Sequence, residues 1–424
     1  MKNIFFVRNA FFPLLITGLL LCGCDNGNSS ANNNASASTV TASAASEQSQ
    51  KPDQRPQAYQ RVKKTVNGQT VYLLDMDDFP LRGVPLATIQ EKAKAGDPAA
   101  QYELGRRLGS GEGVARDIRG GINWIQKAAD QNYPEAQFEL GMMYSLGTGL
   151  RQDPKQALTW YNKAAEQDHV LAQDNLSQLY DVGTKVKRDF AKALYWAQRA
   201  ADQGFGPSQN RLGVIYRQGL GIPPDKAKAL EWFHKAAKQN EVEALFNIGN
   251  MHDMGEGVPS DHTEAVKWYR KAADQGFALA QYNLGVMYED GEGVEQNYAM
   301  ALQWYSKAAQ QGNSDAQLNM GNMYLHGKGI TVDYKTAYNL FRKSAMQGEP
   351  IAIYNIGQMH TIGAEVQQSK IMAFAHYKIA NSIENTLSDL INKRFNTLKS
   401  QMTQVEIQAG EQEARKLMQV YGLE

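Results

Sequence analysis

Residues 277–312 read FALAQYNLGVMYEDGEGVEQNYAMALQWYSKAAQQG, and the same 36-residue pattern runs eight times in succession from Asp97 to Glu384 without insertion or deletion. A fixed period of this length is the signature of a repeat architecture, in which each unit buries its apolar face only against its neighbours. One column of the repeat is Trp124, Trp160, Trp196, Trp232, Trp268, Trp304, Leu340 and His376, and its first six members are every tryptophan in the chain.

The remaining columns assign mechanical roles. Ala100, Ala136, Ala172, Ser208, Ala244, Ala280, Ala316 and Ala352 keep one position small. Four residues on stand Leu104, Leu140, Leu176, Leu212, Ile248, Leu284, Met320 and Ile356. This i, i+4 stripe is one face of a buried helix. Beside it lies Gly105, Gly141, Ser177, Gly213, Gly249, Gly285, Gly321 and Gly357. Glycine inside a helix costs about 1 kcal/mol against alanine, so close approach of a second helix is expected there. Gly-x-Gly turns follow in six units, and a second helix then opens on Asp117, Asp153, Asp189, Asp225, Asp261, Asn297, Asp333 and Ser369. All eight are N-cap residue types. Second helices are expected to close on Asn132, Asp168, Gly204 and Gly276, types that tolerate a left-handed backbone.

These units resemble the Sel1-like repeat family, relatives of tetratricopeptide repeats, over about two-thirds of the chain. The resemblance implies an all-α fold: antiparallel helix pairs stacked into a right-handed α-solenoid superhelix that binds proteins. Unit three departs most, with Asp174, Ser177 and Lys185, and different local packing is expected there. Unit eight drifts too, at Gly363, Glu365 and His376, as a terminal unit should.

The ends of the chain differ from the middle. Residues 1–23 carry Lys2 and Arg8, an apolar stretch from Ala10 to Leu21, and then Cys22-Gly23-Cys24. This reads as a secretory signal, and its end resembles the bacterial lipoprotein box, which implies cleavage after Gly23 and a lipid, such as palmitate, on Cys24. Membrane attachment would run through that lipid, facing the periplasm of a bacterial envelope. Asp25 resembles the signal that retains lipoproteins at the inner membrane and leans the expectation that way, with the outer membrane as the alternative. Residues 24–58 are rich in Asn, Ser, Ala and Gln and read as a disordered tether. About 35 residues of flexible chain span roughly 30 Å. In residues 59–80, Asn67-Gly68 between two β-prone runs predicts a short hairpin. Residues 81–96 match the second helix of a repeat and are expected to cap the eight units, 97–384, in front; residues 385–424 are expected to cap them behind. Thr403-Gln404-Val405-Glu406 reads as a capping box there, while Gly410 weakens the last helix.

Composition narrows the function. Lys plus Arg and Asp plus Glu each total 44, and loss of residues 1–23 leaves 42 against 44, so no basic excess exists for nucleic acid. The two cysteines are Cys22 and Cys24, which leaves the processed chain no thiol for disulfide, metal or catalysis. The Gly-x-Gly turns follow helices rather than strands and lack a phosphate-loop Lys-Ser/Thr. The histidines show no metal-ligand spacing, and His252 and His360, in a column otherwise rich in tyrosine, read as packed rings. Some cysteine-rich relatives are linked to β-lactams, but this chain has neither their cysteines nor a Ser-x-x-Lys motif. The chain is therefore expected to be a monomeric binding protein, not an enzyme, with no cofactor or metal. A peptidoglycan- or β-lactam-directed enzyme and a surface-exposed or released binder of host proteins are the alternatives.

One column is not explained by packing: Glu103, Glu139, Asn175, Arg211, Asn247, Asn283, Asn319 and Asn355. It lies about 100° around the helix from the core stripe. The resemblance to tetratricopeptide domains implies that Asn247, Asn283, Asn319 and Asn355, flanked by Asn250 and Asn322, line a groove that binds a protein or peptide partner. The same amides could instead bond neighbouring helices and fix repeat geometry.

Overall fold

The computed structural model of the chain describes residues 61–66, 69–74, 81, 83–183 and 186–423. Cys24, the signal and tether, the Asn67-Gly68 turn and Lys185 lie outside the described residues. Two short strands, β1 (Arg61–Val66) and β2 (Gln69–Leu74), pair antiparallel with Arg61 opposite Leu74 and Val66 opposite Gln69.

Among the described residues after them, all regular secondary structure is helical. α1 (Leu86–Lys94) is followed by eight helix pairs: α2 (Pro98–Ser110) with α3 (Ile118–Asp130), α4 (Pro134–Leu146) with α5 (Pro154–Glu166), α6 (Val170–Val182) with α7 (Phe190–Asp202), and α8 (Gly206–Gln218) with α9 (Lys226–Ala237). Then come α10 (Val242–Met254) with α11 (His262–Asp274), α12 (Ala278–Asp290) with α13 (Tyr298–Gln310), α14 (Ser314–His326) with α15 (Tyr334–Ala345), and α16 (Pro350–Ile362) with α17 (Lys370–Ser382). α18 (Ser388–Lys399) and α19 (Gln404–Tyr421) end the chain. The fold is an all-α solenoid of tandem helix pairs. Among the described residues no helix is long and apolar enough to cross a membrane. The chain divides into two compact units, one through Leu171 and one from Ala172.

The glycine column explains how the helices of a pair meet. A Cβ on Gly249, Gly285, Gly321 or Gly357 would come within 2.6–2.8 Å of the ring of Tyr269, Tyr305, Phe341 or Tyr377 on the second helix of its pair. Each ring thus lies on bare backbone, and its burial outweighs the propensity lost at the glycine. Unit three shows the rule by exception. Ser177 stands where glycine is usual, and the residue opposite is Ala197 instead of a ring, so the larger side chain has room and its Oγ donates to the Ala193 carbonyl at 2.9 Å.

All eight second helices are capped by the column of Asp, Asn or Ser, each side chain accepting from a backbone N–H in the first turn. Asp333 is held below the usual carboxylate range by its bonds to the Thr336 hydroxyl and N–H. In the six Gly-x-Gly turns both glycines have positive φ, and Asn132, Asp168, Gly204 and Gly276 take the left-handed backbone after their helices. Each Trp carries a cation three residues on: Lys127, Lys163, Lys235, Lys271 and Lys307 stand 3.6–4.1 Å from the ring centroid, and Arg199 5.6 Å. At the front, the buried Arg107 guanidinium binds Glu103 and donates to the carbonyls of Val84 and Leu81, which ties the segment before α1 to α2. At the back, Gly410 lets α19 lie on Phe374, whose Cδ1 would stand 2.5 Å from an added Cβ. That contact explains a glycine that weakened the helix in sequence. His376, in the Trp column, hydrogen-bonds the Tyr421 hydroxyl of α19 at 3.1 Å.

Candidate functional site

The asparagine column runs along successive first helices, and three of its four amides from Asn247 onward donate to an asparagine at another position on the preceding first helix. Asn247 Nδ2 donates to Asn210 Oδ1 at 3.0 Å, Asn283 Nδ2 to Asn250 Oδ1 at 3.4 Å, and Asn355 Nδ2 to Asn322 Oδ1 at 2.9 Å. Asn319 breaks the pattern and donates to the Tyr305 hydroxyl at 3.2 Å. The row is not evenly exposed: Asn319 and Asn355 are buried, whereas Asn247, Asn250, Asn283 and Asn322 are half-buried. An amide can serve here because it donates and accepts at once, and one side of each pair can face a neighbour while the other faces outward. Toward the front the column turns ionic, with Glu103 bound by Arg106 and Arg107 and Arg211 standing 3.7 Å from Asp174. Asp174 is itself buried and accepts from the Ser208 hydroxyl at 2.6 Å.

Behind the row lies a column of hydroxyls and acids. The Tyr305 hydroxyl donates to Glu289 Oε2 at 2.8 Å, and Lys328 reaches the other oxygen of Glu289 at 2.7 Å. Burial, with Glu289 alongside, drives the Tyr305 phenol far above its ordinary value, so it stays a donor. One repeat earlier the Tyr269 hydroxyl stands 2.6 Å from Asn250 Oδ1 and 3.2 Å from Asp253 Oδ2. Asp253 Oδ1 in turn meets His262 Nδ1 at 2.9 Å, and Glu292 completes a cluster whose ligand atoms lie within 4.8 Å of one another. Sequence spacing did not reveal this cluster, because its members come from two repeats and three separate elements.

A second buried network also escaped the sequence reading. Gln101, Gln137, Gln209, Gln281 and Gln317 each donate to a carbonyl near the end of the preceding second helix, eight residues back. Their Oε1 atoms accept from Gln131, Gln167, Gln239, Gln311 and Gln347 at 2.7–3.0 Å. Where the inner column carries Leu245, the outer Gln275 bonds instead to its own helix. The signal was two glutamine columns 30 residues apart, visible only when columns are read in pairs.

The Sel1 repeat family model matches residues 98–133, 134–169, 170–205, 206–241, 242–277, 278–313, 314–349 and 350–382. The chain belongs to the Sel1 repeat family. Among solved structures it is similar to a Sel1 repeat protein from Oxalobacter formigenes, at 33% identity and a TM-score of 0.58, over 73% of this chain and 89% of that one. It is also similar to c5321, a protective antigen present in uropathogenic Escherichia coli strains, at 28% identity and a TM-score of 0.50, over 80% of this chain and 95% of that one. No curated protein matches the chain. Solenoids of this family are generally non-enzymatic and used for protein–protein interaction.

Proposed function

We propose that the protein is a lipid-anchored envelope scaffold that holds a protein or peptide partner along the amide row of its repeats. The observation that carries the reading is that Asn247, Asn250, Asn283 and Asn322 are half-buried and bonded to amides of adjacent repeats, in a row interrupted only at Asn319. An amide has two donors and an acceptor oxygen with two lone pairs, and the internal bonds occupy only part of this capacity. A row of amides already fixed by its neighbours loses little further entropy when a peptide backbone binds. Asn319 and Asn355, being buried, hold the spacing of the row in this reading. Attachment is assigned to a lipid on Cys24, supported by the lipoprotein-box resemblance of residues 21–24, with the inner membrane favoured by Asp25.

Two variants test it. Asn247→Ala with Asn283→Ala should keep the far-UV circular dichroism of the full chain and abolish pull-down of its partner; unchanged capture contradicts the row. Cys24→Ser should move the protein from the membrane fraction to the soluble one, and continued membrane attachment contradicts the anchor. A second reading, an outward-facing or released form that binds a host protein, draws on the similarity to c5321 and its description as a protective antigen. Loss of the protein on protease shaving of intact cells would favour it.

A further inference from the structure

We propose that Asp253, His262 and Glu292 form a binding site for one divalent transition-metal ion, zinc fitting best. In this register a residue near the end of a first helix faces, 39 positions on, the residue between the two turn glycines of the next repeat. The flanking pairs are of opposite charge: Arg217 with Glu256, and Glu289 with Lys328. At Asp253 and Glu292 both members are carboxylates, and His262 takes the column position from which Lys226 reaches Glu256 one repeat earlier. An imidazole nitrogen with two carboxylate oxygens is a zinc-type ligand set that leaves a fourth position for water.

The site is built by the fold. Asp253 lies late in α10 with its side chain 3% exposed, and the Tyr269 hydroxyl beside its Oδ2 is the kind of outer contact that orients a metal-binding carboxylate. His262 is the first residue of α11. Glu292 is delivered by a turn that rests on His262: a Cβ on Gly293 would collide with the His262 carbonyl, so only glycine permits the approach. His262 Nδ1 is already 2.9 Å from Asp253 Oδ1. With all three ligand atoms within 4.8 Å of one another, small side-chain movements bring them to the distances that ligands keep around one ion. His262 and Gly293 also line an open surface depression together with His252, Ser260 and Asp261. The repeat register supplies the approach, and among the described residues no other repeat places an Asp, a His and a Glu at these three positions.

Isothermal titration of Zn²⁺ into the purified, chelator-treated full chain tests the assignment, with far-UV circular dichroism confirming that each variant is folded. One equivalent should bind, and Glu292→Gln and His262→Gln should each weaken it by about tenfold or more. His326→Gln, at the end of α14, should leave it unchanged. Absence of Zn²⁺ binding in the wild-type chain overturns the proposal. So does wild-type affinity in either folded variant, or a preference for Ca²⁺ over Zn²⁺.

Discussion

Alanine at Gly321 is the sharpest probe of how the repeat is held together. Its Cβ would stand 2.6 Å from Phe341 Cε1 and 2.8 Å from Cδ1, and Phe341 is fully buried. Both distances are well inside van der Waals contact, so α14 and α15 must part or the ring must leave its rotamer. Overpacking of this kind costs about 1–3 kcal/mol, against a helix-propensity gain of about 1 kcal/mol. Gly321→Ala alone should therefore destabilise by up to about 2 kcal/mol. Phe341→Ala alone should cost about 3–5 kcal/mol through the cavity it leaves. Combined, they should show coupling: with the ring gone, Gly321→Ala becomes neutral or stabilising by up to about 1 kcal/mol. The natural Ser177 and Ala197 pair is a similar double change in unit three, with a serine in place of the alanine. The assay is urea denaturation followed by circular dichroism, compared at constant m because repeat arrays need not unfold in two states. An equal effect of Gly321→Ala in both backgrounds would refute the claim that the glycine exists for the ring.

Other expectations follow from the same contacts. Burial lowers the His376 pKa from an ordinary 6.5 to about 4. Between those values the unfolded chain binds the extra proton, so stability is intact above about pH 6.5 and falls as the pH drops toward about 4, by at most about 3 kcal/mol. Urea midpoints at pH 7 and pH 5 should show this loss, and His376→Phe should reduce it. Gln281→Ala removes one buried and one part-buried bond and leaves the Ala273 carbonyl and Gln311 without this partner; it should cost about 1–3 kcal/mol. Gln275→Ala, bonded only within its own helix, should stay within about 0.5 kcal/mol of wild type in the same denaturation assay. Asp225→Ala deletes the cap bond to the Lys228 N–H and should cost about 1 kcal/mol, read as a lower thermal midpoint.

The fold was legible because each column has a local reason. Alanine, leucine, cap and turn residues declare helix starts, stops and faces one position at a time, and all eight caps bond as their types predict. Pairs of columns were harder to read. Ser177 looks like a defect until Ala197 is set beside it, and the glutamines look like solvated surface until positions 30 apart are joined. The asparagine column was visible as unexplained, yet its sharing of bonds with Asn210, Asn250, Asn322 and Tyr305 depends on how adjacent first helices are offset, which no single repeat encodes. The Asp253, His262 and Glu292 cluster lies further still from sequence, since each member is ordinary for its own element.

Photo-crosslinking in living cells tests the central claim most directly. A crosslinking side chain at Asn247 or Asn283, on the amide row, is compared with one at the exposed Tyr195 on α7. The account predicts that the two row positions capture the same protein partner and that Tyr195 does not. Equal capture from Tyr195, or none from the row, would contradict it.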